Sequence, residues 1–160
     1  MPIENLIERA LYASGNSGET LLRLVVELGI HAISAEEGSL LLLDGPTKEL
    51  VFAMTAGDLM SESALKGQRV PVGEGVTGLA ASTRKVQVGV PASRAVRHPE
   101  HYAGRAPSFL IAAPMLADDE LVGVLTAARY AADKPFADED QRLFARIAEL
   151  AGAVVPRACR

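Results

Sequence analysis

Residues 38–56 have the sequence GSLLLLDGPTKELVFAMTA, in which two strand-forming runs flank a turn. The first run, residues 38–43, is almost wholly apolar, and residues 50–56 are rich in side chains that favour strands. Asp44-Gly45-Pro46-Thr47 between them has the composition of a turn. The stretch therefore predicts a β-hairpin, and because Leu40 to Leu43 leave no polar face, we expect the first strand to be central in its sheet.

A second hairpin is predicted at residues 109–130. Residues 109–116 and 121–130 are strand-forming runs joined by the acidic turn Ala117-Asp118-Asp119-Glu120. Residues 68–72 and 85–90 predict two further short strands, and a short helix is expected between them at residues 75–82. Because the strands are joined by hairpins and do not alternate with helices, the pattern indicates an antiparallel sheet in an α+β fold.

Apolar residues at spacings of three and four predict three longer helices. The first spans residues 2–12, the second has its main apolar face between Leu21 and Ile33, and the third has its face between Leu143 and Val154. In the second helix Leu24, Val26 and Ile30 lie off the main face, so we expect burial on more than one side. The third helix is expected to be capped by Asp138, with Gln141 three residues later. All three are expected to cover one face of the sheet.

Composition limits the class of protein. The chain has 160 residues and a mass of 16.9 kDa, with 49% hydrophobic and 22% charged residues, which fits one globular domain over residues 1–160. The single cysteine, Cys159, excludes an internal disulfide framework and favours a reducing, cytoplasmic location. A net charge of −4 and the absence of tryptophan argue against nucleic acid as a partner. The sequence contains no apolar run that approaches the ~18 residues of a membrane span, and its acidic start does not resemble a signal peptide.

Gly73-Glu74-Gly75-Val76-Thr77-Gly78 matches the G-x-G-x-x-G pattern of dinucleotide-binding proteins. The context does not match, because the predicted helix ends near Ser82 and no acidic residue follows at the expected distance. The glycines instead predict a tight turn from a strand into a helix. The free N–H groups at the start of that helix are suited to holding an anion.

Basic side chains are concentrated in the middle of the chain. Residues 75–117 contain five basic residues and one acid, Glu100, in a protein of net charge −4. Within this segment, residues 91–107 are predicted to be a long loop, and long loops in compact domains are usually functional or disordered. An arginine in such a loop can bind a carboxylate or a phosphate through two parallel hydrogen bonds, although it can also simply face solvent.

Motifs for catalysis and metal binding are absent or incomplete. The sequence has no G-x-S-x-G, H-E-x-x-H or P-loop motif, and Ser63-Ala64-Leu65-Lys66 lacks the companion motifs of serine acyl-transfer enzymes. His98 and His101 could supply two metal ligands, but a closed zinc site needs four. We therefore predict no catalytic residue, no metal and no cofactor, while a haem sensor that uses His98 or His101 stays an open alternative.

Five stretches together resemble the GAF domain, a small-molecule sensory module of signalling proteins, and they occur in the family's order and spacing. They are residues 35–44 (AEEGSLLLLD), 72–81 (VGEGVTGLAA), 108–116 (SFLIAAPML), 121–125 (LVGVL) and 135–140 (PFADED). The resemblance implies a profilin-like fold with a six-stranded antiparallel sheet. The N- and C-terminal helices would cover one face, and a ligand pocket under the short helix and the loop would lie on the other.

The departures from family patterns narrow the range of ligands that the resemblance implies. Cyclic-nucleotide-binding relatives have Asn-Lys where this chain has Arg129-Tyr130, and Asp-Glu where it has Asp140-Gln141. Bilin-carrying relatives and the free-methionine-sulfoxide reductases need cysteines that residues 1–158 do not contain. The resemblance therefore disfavours a cyclic nucleotide, a covalent chromophore and thiol redox chemistry.

The prediction is a non-enzymatic sensory domain that binds a small, anionic ligand under residues 91–107 and transmits its occupancy through the terminal helices. The resemblance also implies a homodimer formed by residues 3–11 and 143–155. The alternative is a ligand-free dimerisation or protein-interaction module of a signalling or transcription-regulatory system. The predicted ligand-binding residues are Val76, Thr77, Arg94, Arg97, His98, Tyr102, Arg105 and Ser108.

Overall fold

The computed structural model describes residues 17–57, 67–89, 108–130 and 134–158. The elements in chain order are α1 (Ser17–Ala32), β1 (Glu37–Asp44), β2 (Glu49–Gly57), β3 (Arg69–Pro71), α2 (Gly75–Thr83), β4 (Gln87–Gly89), β5 (Phe109–Ala117), β6 (Glu120–Arg129) and α3 (Asp138–Ala158). They agree in type and order with the elements predicted for these parts of the chain. The predicted helix at residues 2–12 and the predicted loop at residues 91–107 lie outside the described residues.

The six strands form one antiparallel sheet in the order β3-β2-β1-β6-β5-β4. The central position of β1, between β2 and β6, confirms the prediction from its continuous apolar run. Successive side chains of a strand point to opposite faces, so Leu40 and Leu41 enter two different cores, and both are fully buried.

Two cores lie on the two faces of the sheet. On one face α1 and α3 pack over Leu40 and Leu125 of the sheet, which belong to the larger apolar cluster together with Phe144 of α3. On the opposite face α2 packs mainly over β4, β5 and β6, and Leu41 and Val124 belong to this smaller cluster. The fold is therefore the predicted α+β arrangement, with longer helices on one face and the short helix on the other.

Helix α1 is buried on more than one side, as predicted, because Val26 and Ile30 are buried off its main face. Leu24 departs from the expectation, since 48% of it is exposed. The helix ends in a Schellman motif: the Ala35 N–H donates to Ile30 O at 2.9 Å, and Ser34 adopts a left-handed conformation with φ of 52°.

The start of α3 corrects one prediction. Helix α3 begins at Asp138, and Asp140, in its first turn, accepts the backbone N–H of Ala137 at 3.0 Å. This is the bond by which a third-position side chain reaches back to the residue before a helix. The side chain with a described capping bond is therefore that of Asp140, not that of Asp138, because the helix begins one residue earlier than a cap at Asp138 requires.

Candidate functional site

Buried polar side chains mark one region of the sheet. Among the described residues, the polar or charged side chains that are buried are Glu37, Ser39, Thr55, Thr77 and Thr126. Ser39 of β1 lies directly opposite Thr55 of β2 and Thr126 of β6. Glu37 is two residues from Ser39 and shares its face, which is the face that carries Leu41 and α2. We call Glu37, Ser39, Thr55 and Thr126 the polar floor.

The polar floor lies toward the end of the sheet at which β4 ends and β5 begins. One row of residues, each paired with the next on the neighbouring strand, crosses four strands: Glu37, Ala128, Leu110 and Gly89. A Cβ placed on Gly89 would lie 3.4 Å from Cγ2 of Val76, so the start of α2 stands over the far end of this row. The chain leaves β4 at Gly89 and re-enters β5 at Phe109, at this same end.

Two neighbouring acids hold Tyr130 at this end. The Tyr130 hydroxyl donates to Oε2 of Glu37 at 2.8 Å, and the Tyr130 N–H donates to Oε1 of Glu36 at 3.0 Å. The Ser108 hydroxyl donates to the Tyr130 carbonyl at 3.0 Å. The Ser108 N–H donates to the Arg129 carbonyl at 2.8 Å, so Ser108 is fastened to the end of β6 by two hydrogen bonds.

One hydroxyl of the polar floor is unsatisfied in the structure. Thr55 is buried and its Oγ1 has no hydrogen-bond partner, which is a costly arrangement for a polar group away from water. Ser39, Thr126 and Glu37 all take part in polar interactions. Thr55 Oγ1 is thus an atom of this surface that a further partner would satisfy.

The glycines before α2 shape a tight turn, as predicted. Gly73 and Gly75 have positive φ values of 98° and 64°, and the Gly73 N–H donates to Gly78 O at 2.8 Å. A Cβ on Gly78 would lie 2.5 Å from the Pro71 carbonyl oxygen, so a side chain is excluded there. The turn is sufficient to account for the glycines of the pattern. The N–H groups of the first helical turn, including those of Val76 and Thr77, are not used by the helix itself.

The predicted site residues divide into two groups. Val76, Thr77 and Ser108 lie in the described part of the chain, and the first two are buried at the start of α2. The other five lie outside the described residues: Arg94, Arg97, His98, Tyr102 and Arg105. The sequence reasoning missed Glu37, Thr55, Thr126 and Tyr130. Only Glu37 and Ser39 alternate along one strand, whereas Thr55 and Thr126 are isolated polar residues in apolar strands, so the sequence carried no pattern that joins them.

A cleft of about 610 Å³ also lies at this end of the sheet, beside α1. Its lining residues are Glu27, Ile30, His31, Ala35, Glu36, Ala56 and Gly57. The polar side chains of the cleft at Glu27 and His31 are exposed, whereas those of the polar floor are buried. Solvated side chains on a surface cost little, so the polar floor is the stronger candidate for a site. Within residues 17–57, 67–89, 108–130 and 134–158, no three acidic, histidine or cysteine side chains are grouped to hold a metal ion.

Comparison with known proteins places this geometry in a family. The family model described as the GAF domain matches residues 16–155. The chain belongs to the GAF domain family. GAF domains bind small molecules and often act in signalling proteins. The comparison with curated proteins gave no match.

Solved GAF domains share the fold at low sequence identity. The chain is similar to the GAF domain of a phosphoenolpyruvate-protein phosphotransferase from Coxiella burnetii, with 24% identity, 98% of this chain and 92% of that chain covered, and a TM-score of 0.76. It is also similar to the GAF-B domain of DevS from Mycobacterium smegmatis, with 22% identity, coverages of 89% and 95%, and a TM-score of 0.68.

The fold is shared with an enzyme as well. Free methionine-R-sulfoxide reductase from Neisseria meningitidis, solved in complex with its substrate, matches with 24% identity, coverages of 98% and 86%, and a TM-score of 0.67. The GAF fold therefore serves both regulatory domains and a reductase. In the described parts of this GAF domain, no helix has the length and apolar character to cross a membrane.

Proposed function

We propose that this GAF domain is a non-enzymatic sensor that binds a small, anionic ligand between the polar floor and residues 91–107. The observation that carries the proposal is the polar floor. Burying hydroxyls and a carboxylate costs free energy unless they find partners, and Thr55 Oγ1 has none among the described residues. A face of the sheet built to bind a polar ligand accounts for this cost, whereas an apolar core does not require it.

The charge of the surrounding segment supports an anion. Residues 75–117 carry a net positive charge, and Arg94, Arg97 and Arg105 are suited to hold a carboxylate or phosphate, with His98 and Tyr102 orienting it. The N–H groups near Val76 and Thr77 add partial positive charge. Glu37 repels an anion, so we expect the anionic group to lie toward α2 and the donor groups of the ligand to lie toward Glu37.

The side chains described on and around the polar floor favour a regulatory role over an enzymatic one. A nucleophile at Ser39, Thr55 or Thr126 would need a base within hydrogen-bond reach, and the carboxylate on this face, that of Glu37, already accepts the Tyr130 hydroxyl. The described histidine, His31, lies on α1, on the opposite side of the sheet from the polar floor. The chain's single cysteine, Cys159, follows α3 in sequence. We therefore propose a binding role, in the cytoplasm, for one domain that spans the chain.

Ligand-dependent thermal unfolding tests the anion site. A ligand at a hundred times its Kd stabilises the folded state by about 2.7 kcal/mol, which raises Tm by several degrees in a domain of this size. We expect an anion selected from a panel of small carboxylates and phosphates to raise Tm in the wild type. The shift should disappear in the double variant Arg94→Ala, Arg97→Ala and persist in Arg142→Ala, an exposed arginine of α3. An equal shift in all three proteins would refute the arginine assignment.

A second candidate function is a dimerisation or protein-interaction module that needs no ligand. It is favoured by two exposed leucines on the outer surface of the helix pair, Leu24 of α1 and Leu143 of α3, which are 48% and 41% exposed. This function predicts a homodimer that persists after small molecules are removed. Light scattering on dialysed protein checks it, and a dimer that Leu143→Glu does not weaken would contradict the involvement of α3.

A further inference from the structure

The last residue of β6 and the residue after it, Arg129 and Tyr130, direct their side chains to opposite faces of the sheet. We propose that this pair couples the polar-floor face to the ends of α1 and α3. The proposal rests on the proposed function for the ligand that would use the coupling. The coupling itself is a property of the ligand-free protein and is tested without a ligand.

On the polar-floor face, Tyr130 is held by the floor and by the returning chain. Its hydroxyl donates to the buried carboxylate of Glu37, and Ser108 donates one hydrogen bond to the Tyr130 carbonyl and one to the Arg129 carbonyl. Ser108 is the residue at which the segment from β4 rejoins the sheet. A movement of Glu37 or of Ser108 therefore acts directly on the end of β6.

On the helix face, the Arg129 guanidinium is largely buried, with 14% of its side chain exposed, and it bonds several groups at once. It donates to the Ile33 carbonyl at the end of α1, and it lies 3.5 Å from the carboxylate of Asp140 at the start of α3. It also donates to the carbonyls of Lys134 and Pro135, and it stacks 4.2 Å from the centre of the Phe136 ring. One side chain thus joins the end of α1, the start of α3 and the chain between β6 and α3.

The positions of the charges make this junction electrostatically favourable. A cation at the C-terminal end of a helix and an anion at the N-terminal end both interact well with the helix dipole, and Arg129 and Asp140 occupy these two places. The two helix ends are also in close contact, since a Cβ on Gly29 of α1 would lie 3.0 Å from the ring of Phe144 of α3. A change in the hydrogen bonds of Arg129 therefore alters the contacts of both helix ends.

Coupling means that a change on one face alters the stability of local structure on the other, and it must act in both directions. Arg129 and Tyr130 share one planar peptide unit, and its N–H, that of Tyr130, donates to Glu36, so a displacement of the Tyr130 backbone also displaces the backbone from which Arg129 extends. Tyr130 donates to Glu37 and Arg129 donates to Ile33, so the two residues of this unit hold opposite faces of the sheet. The pair therefore has the connectivity that transmission from a bound ligand to α1 and α3 requires.

Amide hydrogen exchange of the full ligand-free chain tests the forward direction. Tyr130→Phe removes the bond to Glu37 and leaves Arg129 in place. The reporters are the Ala35 N–H, bonded to Ile30 O, and the Gln141 N–H, bonded to Ala137 O. Losing one hydrogen bond predicts exchange that is about two- to tenfold faster at both reporters. Thr83→Val, which removes one hydroxyl hydrogen bond at the C-terminal end of α2, outside the polar floor, is the control and should leave the reporters unchanged relative to core amides of β1.

The reverse direction uses Asp140→Asn, with the Ser108 N–H as reporter and Asp138→Asn, in the same turn of α3, as control. We expect faster exchange at Ser108 in Asp140→Asn alone. Unchanged reporters in Tyr130→Phe, or equal effects of test and control variants, would overturn the coupling. If the reporters respond as expected while no small anion binds, the proposed function fails and the coupling stands.

Discussion

At the residue scale, Ser34 carries a conformational cost at the end of α1. It is left-handed, with φ of 52°, at the position of a Schellman motif that glycine usually occupies. Replacing it by glycine removes the steric clash of its Cβ with the following carbonyl. We expect Ser34→Gly to stabilise the protein by about 0.5–1 kcal/mol and to raise Tm by roughly 2–4 °C. Ser34→Ala is the control, and a Tm for Ser34→Gly below that of Ser34→Ala would contradict the assignment.

Asp44 gives a second prediction at this scale, through pH. The Arg69 guanidinium bonds its carboxylate at 2.9 Å and holds the pKa of Asp44 below its ordinary value. A group whose pKa is lowered by folding contributes stability above its unfolded pKa, and this contribution is lost as the pH falls through the folded pKa. Between about pH 5 and pH 2, the urea midpoint of the wild type should therefore fall more steeply than that of Asp44→Asn. Parallel curves for the two proteins would show that the ion pair of Asp44 and Arg69 does not contribute to the stability of the fold.

At the element scale, α3 approaches β5 so closely that one position must be glycine. A Cβ on Gly152 would collide with the backbone oxygen and nitrogen of Leu116. Alanine is the better helix former by about 1 kcal/mol, but overpacking costs about 1–3 kcal/mol and the helix must shift away from the sheet. Gly152→Ala is therefore expected to lower the free energy of unfolding, measured by urea denaturation. A gain in stability would show that helix propensity outweighs the contact.

Gly45→Ala is the matched control for Gly152→Ala. Gly45 lies in the turn between β1 and β2, and a Cβ built there meets nothing within 4 Å. The expected change in unfolding free energy is within about 0.5 kcal/mol, as is usual for surface positions without special contacts. Similar losses at Gly45 and Gly152 would show that the loss at Gly152 does not come from its contact with Leu116, because the effect of alanine on the unfolded chain is stabilising.

The elements themselves were predictable because their signals are local. The spacing of apolar residues identified α1 and α3, and strand-forming runs on either side of a turn identified the two hairpins. The unbroken apolar run at Leu40–Leu43 placed β1 at the centre of the sheet. The capping residue of α3 was missed because a shift of one residue in the start of a helix moves the role from Asp138 to Asp140. The polar floor was missed for another reason. Ser39, Thr55 and Thr126 meet only through the register of three strands, which no local pattern contains.

At the scale of the whole molecule, the sheet separates two surfaces with different chemistry. One face is an apolar core closed by α1 and α3, and the other carries α2 and the polar floor. Arg129 and Tyr130 connect the two faces at one end. Of the predicted ligand-binding residues, Val76, Thr77 and Ser108 lie at this end of the α2 face, and the assignment of the loop arginines stays a prediction.

The measurement that tests the central claim most directly is native mass spectrometry of the full chain after exposure to a small-molecule fraction of cell extract. The account predicts a retained adduct below about 1 kDa that is lost on denaturation, because ligand pockets in proteins commonly have volumes of about 300–1,000 Å³, which limits the size of the ligand. It also predicts that Arg142→Ala keeps the adduct and that the double variant Arg94→Ala, Arg97→Ala loses it. A spectrum that contains only bare protein, or an adduct retained equally by all variants, would contradict the claim that this GAF domain senses an anion over its polar floor.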